Sequence, residues 1–127
     1  MNRPTGVPTI SPRDAAAALS AGSGDTGDRG PLLVDVREAD EFATQRAVGA
    51  VLIPISEFVA RHEELPRDRP LLMICQSGSR SMSATMFLLQ RGWTDVRNVE
   101  GGTGAWAAAG LPTGHGAPAP GEGDLPS

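Results

Sequence analysis

Short apolar runs alternate with segments of helical character along most of the chain. Leu32-Leu33-Val34-Asp35-Val36, Ala50-Val51-Leu52-Ile53, Leu71-Leu72-Met73-Ile74 and Asp95-Val96-Arg97-Asn98-Val99 read as strands. The first helix is signalled by Ser11 as N-cap, Pro12 in the first turn and Asp14 at capping-box spacing; Ala15 to Leu19 carry it and Gly22 ends it. Arg37 to Phe42 forms a polar helical turn, and Ser56 can cap a helix from Glu57 to Glu64 that ends before Pro66. Ser81 to Gln90 reads as a helix closing at Gly92. The tight turn Glu100-Gly101-Gly102-Thr103-Gly104 leads into another, with Trp106, Ala107, Ala108 and Ala109, stopped by Gly110 and Pro112.

This alternation predicts an α/β domain with a mainly parallel sheet and helices on both faces. In such sheets the functional crevice lies at the carboxyl ends of the strands. Asp35, Cys75 and the Gly101-Gly102 turn all fall at or near such ends. Outside this body, Met1 to Thr9 read as a loose lead-in, Gly22 to Gly30 as a mobile surface loop, and residues 113–127 as a disordered tail. His62, among Arg61, Glu63 and Glu64, reads as a solvated surface residue, and His115 as part of the tail.

Composition narrows the function. The 127 residues suffice for one compact domain. Net charge is −4, and the 11 basic residues are all scattered arginines, so no basic stripe favours nucleic acid. A single cysteine excludes an internal disulfide, a cysteine-cluster metal site and a dithiol cycle within one chain. The N-terminus lacks the apolar run of a signal peptide, and no stretch approaches the ~18 apolar residues of a membrane span. The expectation is a cytoplasmic protein without a membrane partner.

Cys75 ends the third apolar run, and the polar loop Gln76-Ser77-Gly78-Ser79-Arg80-Ser81 leads from it into a helix. A helix start offers unpaired N–H groups and partial positive charge, and a loop curling round the sulfur would aim such groups at it. A free thiol titrates near ~8.5, so ionisation at pH 7 needs about 2.7 kcal/mol of preferential stabilisation. A helix terminus supplies at most about 2 kcal/mol. N–H bonds and the Arg80 charge are expected to share the task, with Arg80 holding an anionic substrate by its planar fork. A lone cysteine at a strand end is ordinarily a small buried hydrophobe; the loop and Arg80 set this one apart. Asp35, a carboxylate inside a strand, and Arg37 read as a charge pair or cap bracing neighbouring loops. The Gly101-Gly102-x-Gly104 turn lacks the lysine of a phosphate loop and reads as close backbone packing.

Taken together, these stretches resemble a single-domain rhodanese, a sulfurtransferase module. The matching residues are Val34-Asp35-Val36-Arg37-Glu38 with Glu41-Phe42, Gly49-Ala50 and Ile53-Pro54. They continue with Cys75-x-x-Gly78-x-Arg80-Ser81, Ala84, Leu88, Gly92, Val99-x-Gly101-Gly102-x-x-x-Trp106 and Gly110-Leu111-Pro112. The resemblance covers about Ile10 to Pro112 and implies a three-layer rhodanese-like domain. It further implies that Cys75 takes the outer sulfur of a donor such as thiosulfate as a persulfide, stabilised by the N–H groups of Gln76 to Ser81. That sulfur would pass to cyanide or a cellular thiol, a protein acceptor among them, with no cofactor. One departure stands out. Gln45-Arg46-Ala47 replaces the family's usual Gly-His-Ile, and Arg46 is expected to add positive potential for anionic donors.

Two other functions compete. Cysteine-dependent phosphatases and arsenate reductases of the related loop type use Cys-x5-Arg, whereas four residues separate Cys75 from Arg80, which suits a smaller sulfur group. A non-catalytic rhodanese-like binding or regulatory module typically loses the cysteine, which this chain keeps.

Overall fold

Strands that are apolar on both faces need helices above and below them, and the chain supplies these in order. A computed structural model describes residues 6–21 and 30–126. The elements are β1 (Thr9–Ile10), α1 (Pro12–Ala21), β2 (Leu32–Asp35), α2 (Ala39–Thr44), β3 (Arg46–Ala47) and β4 (Val51–Leu52). They continue with α3 (Phe58–Arg61), flanked by 3-10 turns at Ile55–Glu57 and His62–Glu64, then β5 (Leu71–Ile74), α4 (Ser79–Gln90), β6 (Val96–Val99), α5 (Gly102–Ala108) and β7 (Thr113–Gly114).

Five strands form one sheet in the order β1-β6-β5-β2-β4, every pair parallel. Side-chain alternation along β5 divides the core. Leu71, Met73 and Cys75 join Val34, Phe58, Ala84 and Leu88 on the face covered by α3 and α4. Leu72 and Ile74 join Leu33, Phe42, Ala15 and Trp106 on the face covered by α1, α2 and α5. The result is the expected α/β architecture, with Cys75 placed beneath α4. No helix among the described residues is long and apolar enough to cross a membrane.

Four local expectations are corrected. Thr9, assigned to a loose lead-in, belongs to β1, whose register against β6 pairs it with Asn98. Ser56 caps no helix: its hydroxyl and amide donate to the Glu38 carboxylate at 2.9 and 3.0 Å, and the stretch after it breaks into 3-10, α and 3-10 turns. His62 is packed rather than solvated, its ring edge-on to Phe87 at 4.8 Å and near Phe58 and Trp93. The segment after Pro112, assigned to a disordered tail, lies against the body. There β7 pairs antiparallel with β3, Leu52 N donates to Gly123 O at 2.8 Å, and Leu125 packs on the core. Composition underrates this segment because its anchors are few and are supplied by residues far away in sequence. Of the predicted loop Gly22 to Gly30, residues 22–29 lie outside the described residues, as do residues 1–5 and 127.

Candidate active site

Cys75 directly follows β5, and the chain must turn there at once to start α4. Gly78 makes the turn possible as the N-cap of α4, with φ of +105°. The loop is fastened from the opposite side by α5: Thr103 N donates to Cys75 O at 2.7 Å and Gly104 N to Gln76 O at 3.0 Å. Gly102 lets α5 come this close. A Cβ there would sit 2.4 Å from Cys75 O and 2.7 Å from the Gln76 carbonyl group. The glycine turn therefore belongs to the cysteine loop as its backing.

The sulfur of Cys75 accepts from Gly78 N at 3.1 Å and from Ser81 Oγ at 3.3 Å, and the residue exposes none of its surface. Burial pushes the thiol pKa up. The Ser81 hydroxyl and the backbone N–H groups of Ser81, Gly78 and Ser77 outweigh it, so the pKa lies below the ordinary thiol value. Behind this shell stands Asn98 of β6, also buried. Its Oδ1 lies 2.5 Å from Ser81 Oγ, and its Nδ2 donates to Gly78 O at 3.0 Å. Gly78 and Ser81, whose N–H and hydroxyl donate to the sulfur, are thus both tied to one side-chain amide.

Three arginines stand in the positions the sequence nominates, and each has a carboxylate. Arg37 is buried and donates to both oxygens of Asp35, to Gln76 Oε1 at 3.1 Å and to Gln45 O at 2.6 Å. The Asp35–Arg37 pair therefore reaches the cysteine loop through the Gln76 side chain. Arg80 forms a two-pronged pair with Glu41, at 2.8 and 2.9 Å. That pair lowers the Glu41 carboxyl pKa to about 2 against the opposing effect of burial, with help from the Glu38 N–H and the Arg37 charge. Arg46 corrects the expectation of added potential for donors. Its guanidinium is buried and spent on Glu122, Phe42 O and Gly116 O. Ser79, the first residue of α4, is exposed.

Sequence reasoning assigned no role to Asn98 or Glu41. A polar residue inside an apolar strand was a usable signal for Asn98, as it was for Asp35. Nothing local links Glu41 to Arg80, because they are 39 residues apart and meet only through the packing of α2 beside the loop. Among the described residues, no cluster of His, Cys, Asp or Glu could hold a metal ion.

Residues 13–109 match the family model of the rhodanese-like domain. The chain belongs to that family. This rhodanese-like domain is 40% identical over 95 residues to a sulfurtransferase of Allochromatium vinosum, an alignment covering 75% of this chain and 87% of that protein. It is 34% identical over 84 residues to a thiosulfate sulfurtransferase of Pseudomonas savastanoi pv. phaseolicola, covering 64% of this chain and 76% of that one. Among solved structures, a rhodanese-related protein from Thermoplasma volcanium superposes with a TM-score of 0.73 at 31% identity, covering 84% of this chain and 97% of that one. Sulfurtransferases thus stand among its relatives.

Proposed function

We propose that this rhodanese-like domain moves sulfane sulfur from a donor such as thiosulfate to a thiophilic acceptor through a persulfide on Cys75. The observation that carries the reading is the convergence of the Ser81 hydroxyl and the loop N–H groups on a single buried sulfur. Such a shell favours the thiolate, the reactive form. The thiolate attacks the outer sulfur of thiosulfate; the sulfur–sulfur bond of the donor breaks, and sulfite leaves with its electron pair. The negative charge then rests on the outer sulfur of the persulfide, beside the same donors. Cyanide or a thiolate attacks that outer sulfur next, and the Cys75 thiolate is released as the leaving group. No cofactor is needed for either step.

Thiosulfate-dependent thiocyanate formation, measured on the wild type and on Cys75→Ser, tests the reading. Intact-mass analysis of thiosulfate-treated protein accompanies it. The expected result is turnover that disappears in the variant and a wild-type mass gain of one sulfur atom. Turnover that survives in Cys75→Ser, or a wild type that forms neither thiocyanate nor persulfide, overturns it.

A further inference from the structure

Resting on the sulfurtransferase reading above, we propose that Glu41 sets the charge preference of the site. It holds the guanidinium of Arg80, so a small anionic donor gains that cation only by displacing a carboxylate, whereas an uncharged sulfane donor has no such competitor.

The argument is an inventory of reachable positive charge. The guanidinium of Arg37 is buried, and its three nitrogens donate to Asp35, Gln76 and Gln45. Arg46 is buried too and fully engaged by Glu122 and two carbonyls. Arg80 differs. Its side chain keeps 35% of its surface in contact with solvent and that of Glu41 keeps 32%, so an incoming ligand can reach both. Arg80 also stands in the first turn of α4, directly after the Gly78 turn whose N–H donates to the Cys75 sulfur. Of these three, Arg80 is thus the arginine an anionic donor can engage, and both prongs of its fork already face a carboxylate. Protonation does not release it, because the Glu41 carboxyl pKa is held near 2 and the group stays ionised throughout the neutral range.

Glu41 is itself anchored, since its Oε1 accepts from Glu38 N at 3.0 Å in a capping box that starts α2. The carboxylate is therefore held at Arg80 by the helix start as well as by the ion pair. That makes Glu41 a built-in competitor for donors of like charge.

The test compares two alkylating agents of similar size at Cys75, iodoacetate (an anion) and iodoacetamide (neutral), at low ionic strength. Their rate ratio cancels access to the buried sulfur and reports the charge preference of the site. Glu41→Gln keeps an acceptor for the Glu38 amide but removes the charge. The iodoacetate-to-iodoacetamide ratio is expected to rise roughly two- to fivefold, the range of a partly exposed ion pair, with a comparable fall in KM for thiosulfate. Adding Glu41→Gln to Arg80→Ala should then leave the ratio where Arg80→Ala alone puts it. Glu41→Ala, which also gives up the cap, should raise the ratio in the same direction, separating charge from any loss of folding stability. A ratio that stays at the wild-type value in folded Glu41→Gln and Glu41→Ala overturns the proposal, whatever happens with thiosulfate. A ratio that rises while thiosulfate gives neither turnover nor a persulfide on wild type or variant upholds the role of Glu41 and rejects the sulfur-transfer reading instead.

Discussion

Arg46 grips Glu122 across 76 residues of chain, with Nε 2.6 Å from Oε2 and Nη2 3.1 Å from Oε1. The same guanidinium donates to Phe42 O on α2 and to Gly116 O in the C-terminal segment. It thereby staples the segment after β7 to the helix that carries Glu41. Arg46→Ala leaves two carbonyl oxygens without their donor and should cost about 1–3 kcal/mol in chemical denaturation. Limited proteolysis should then cut first within residues 115–126. A variant as resistant as the wild type would show that the β3–β7 pairing suffices to hold the segment.

Cys75 should react as a thiolate with a pH midpoint below that of an ordinary thiol. The sign follows from the form that reacts: the rate is high above the midpoint and falls as pH drops through it. Because burial limits access, the midpoint of the alkylation profile is the informative quantity rather than the absolute rate. Ser81→Ala removes one donor from the sulfur, so its midpoint should move up and its rate at neutral pH fall roughly tenfold. The Ser81 hydroxyl has one proton for two acceptors, Cys75 Sγ and Asn98 Oδ1. Asn98→Ala leaves that proton to the sulfur, and its midpoint should move down. An upward shift would mean that Asn98 matters mainly as a brace for the Gly78 carbonyl.

The Asp35–Arg37 pair is buried, with side chains exposed by only 0% and 2%. Asp35→Ala strands a buried guanidinium and also removes the acceptor of the Arg37 backbone N–H. The expected loss is about 3–5 kcal/mol in urea unfolding, a large share of the stability of a small domain. A loss below about 1 kcal/mol would show that water reaches Arg37 readily.

Gly102→Ala should damage the cysteine loop specifically. The added Cβ meets Cys75 O at 2.4 Å, and the residue has φ of +62°. Overpacking of this kind costs about 1–3 kcal/mol, beyond the ~1 kcal/mol of a left-handed conformation. Gly110→Ala is the control. It has φ of +76° but nothing within 4 Å of the new atom, so only the conformational cost applies. Comparable melting temperatures and sulfur-transfer rates for the two variants would refute close packing as the role of Gly102.

Much of this architecture is legible in the chain because its signals are local. The apolar runs at Leu32 and Leu71 lie side by side as β2 and β5, and their alternation assigns each side chain to one face. Ser11 Oγ accepts from Asp14 N at 3.1 Å, as the spacing at the first helix predicts. The cysteine loop is equally local: strand end, Gly78 and helix start follow one another within a few residues. Ser56 misleads for a physical reason. A serine before a helical pattern is a potential cap, yet Ser56 lies within the 3-10 turn Ile55–Glu57, and packing brings the Glu38 carboxylate within reach of both its amide and its hydroxyl.

The α/β alternation, the family pattern and the place of Cys75 between β5 and α4 can all be read from the order of residues. Periods of two and 3.6 residues, and the turn chemistry of glycine, act over a single element. Where the charges go is settled by long-range packing. Arg37 to Asp35 is a neighbouring contact, but Arg80 finds Glu41 across 39 residues, and Arg46 finds Glu122 across 76. Opposite charges carry no register in the sequence, so any scattered arginine could pair with many carboxylates. Packing selects the partner by fixing which surfaces meet, and here it turned two expected anion receptors, Arg46 and Arg80, into ion pairs.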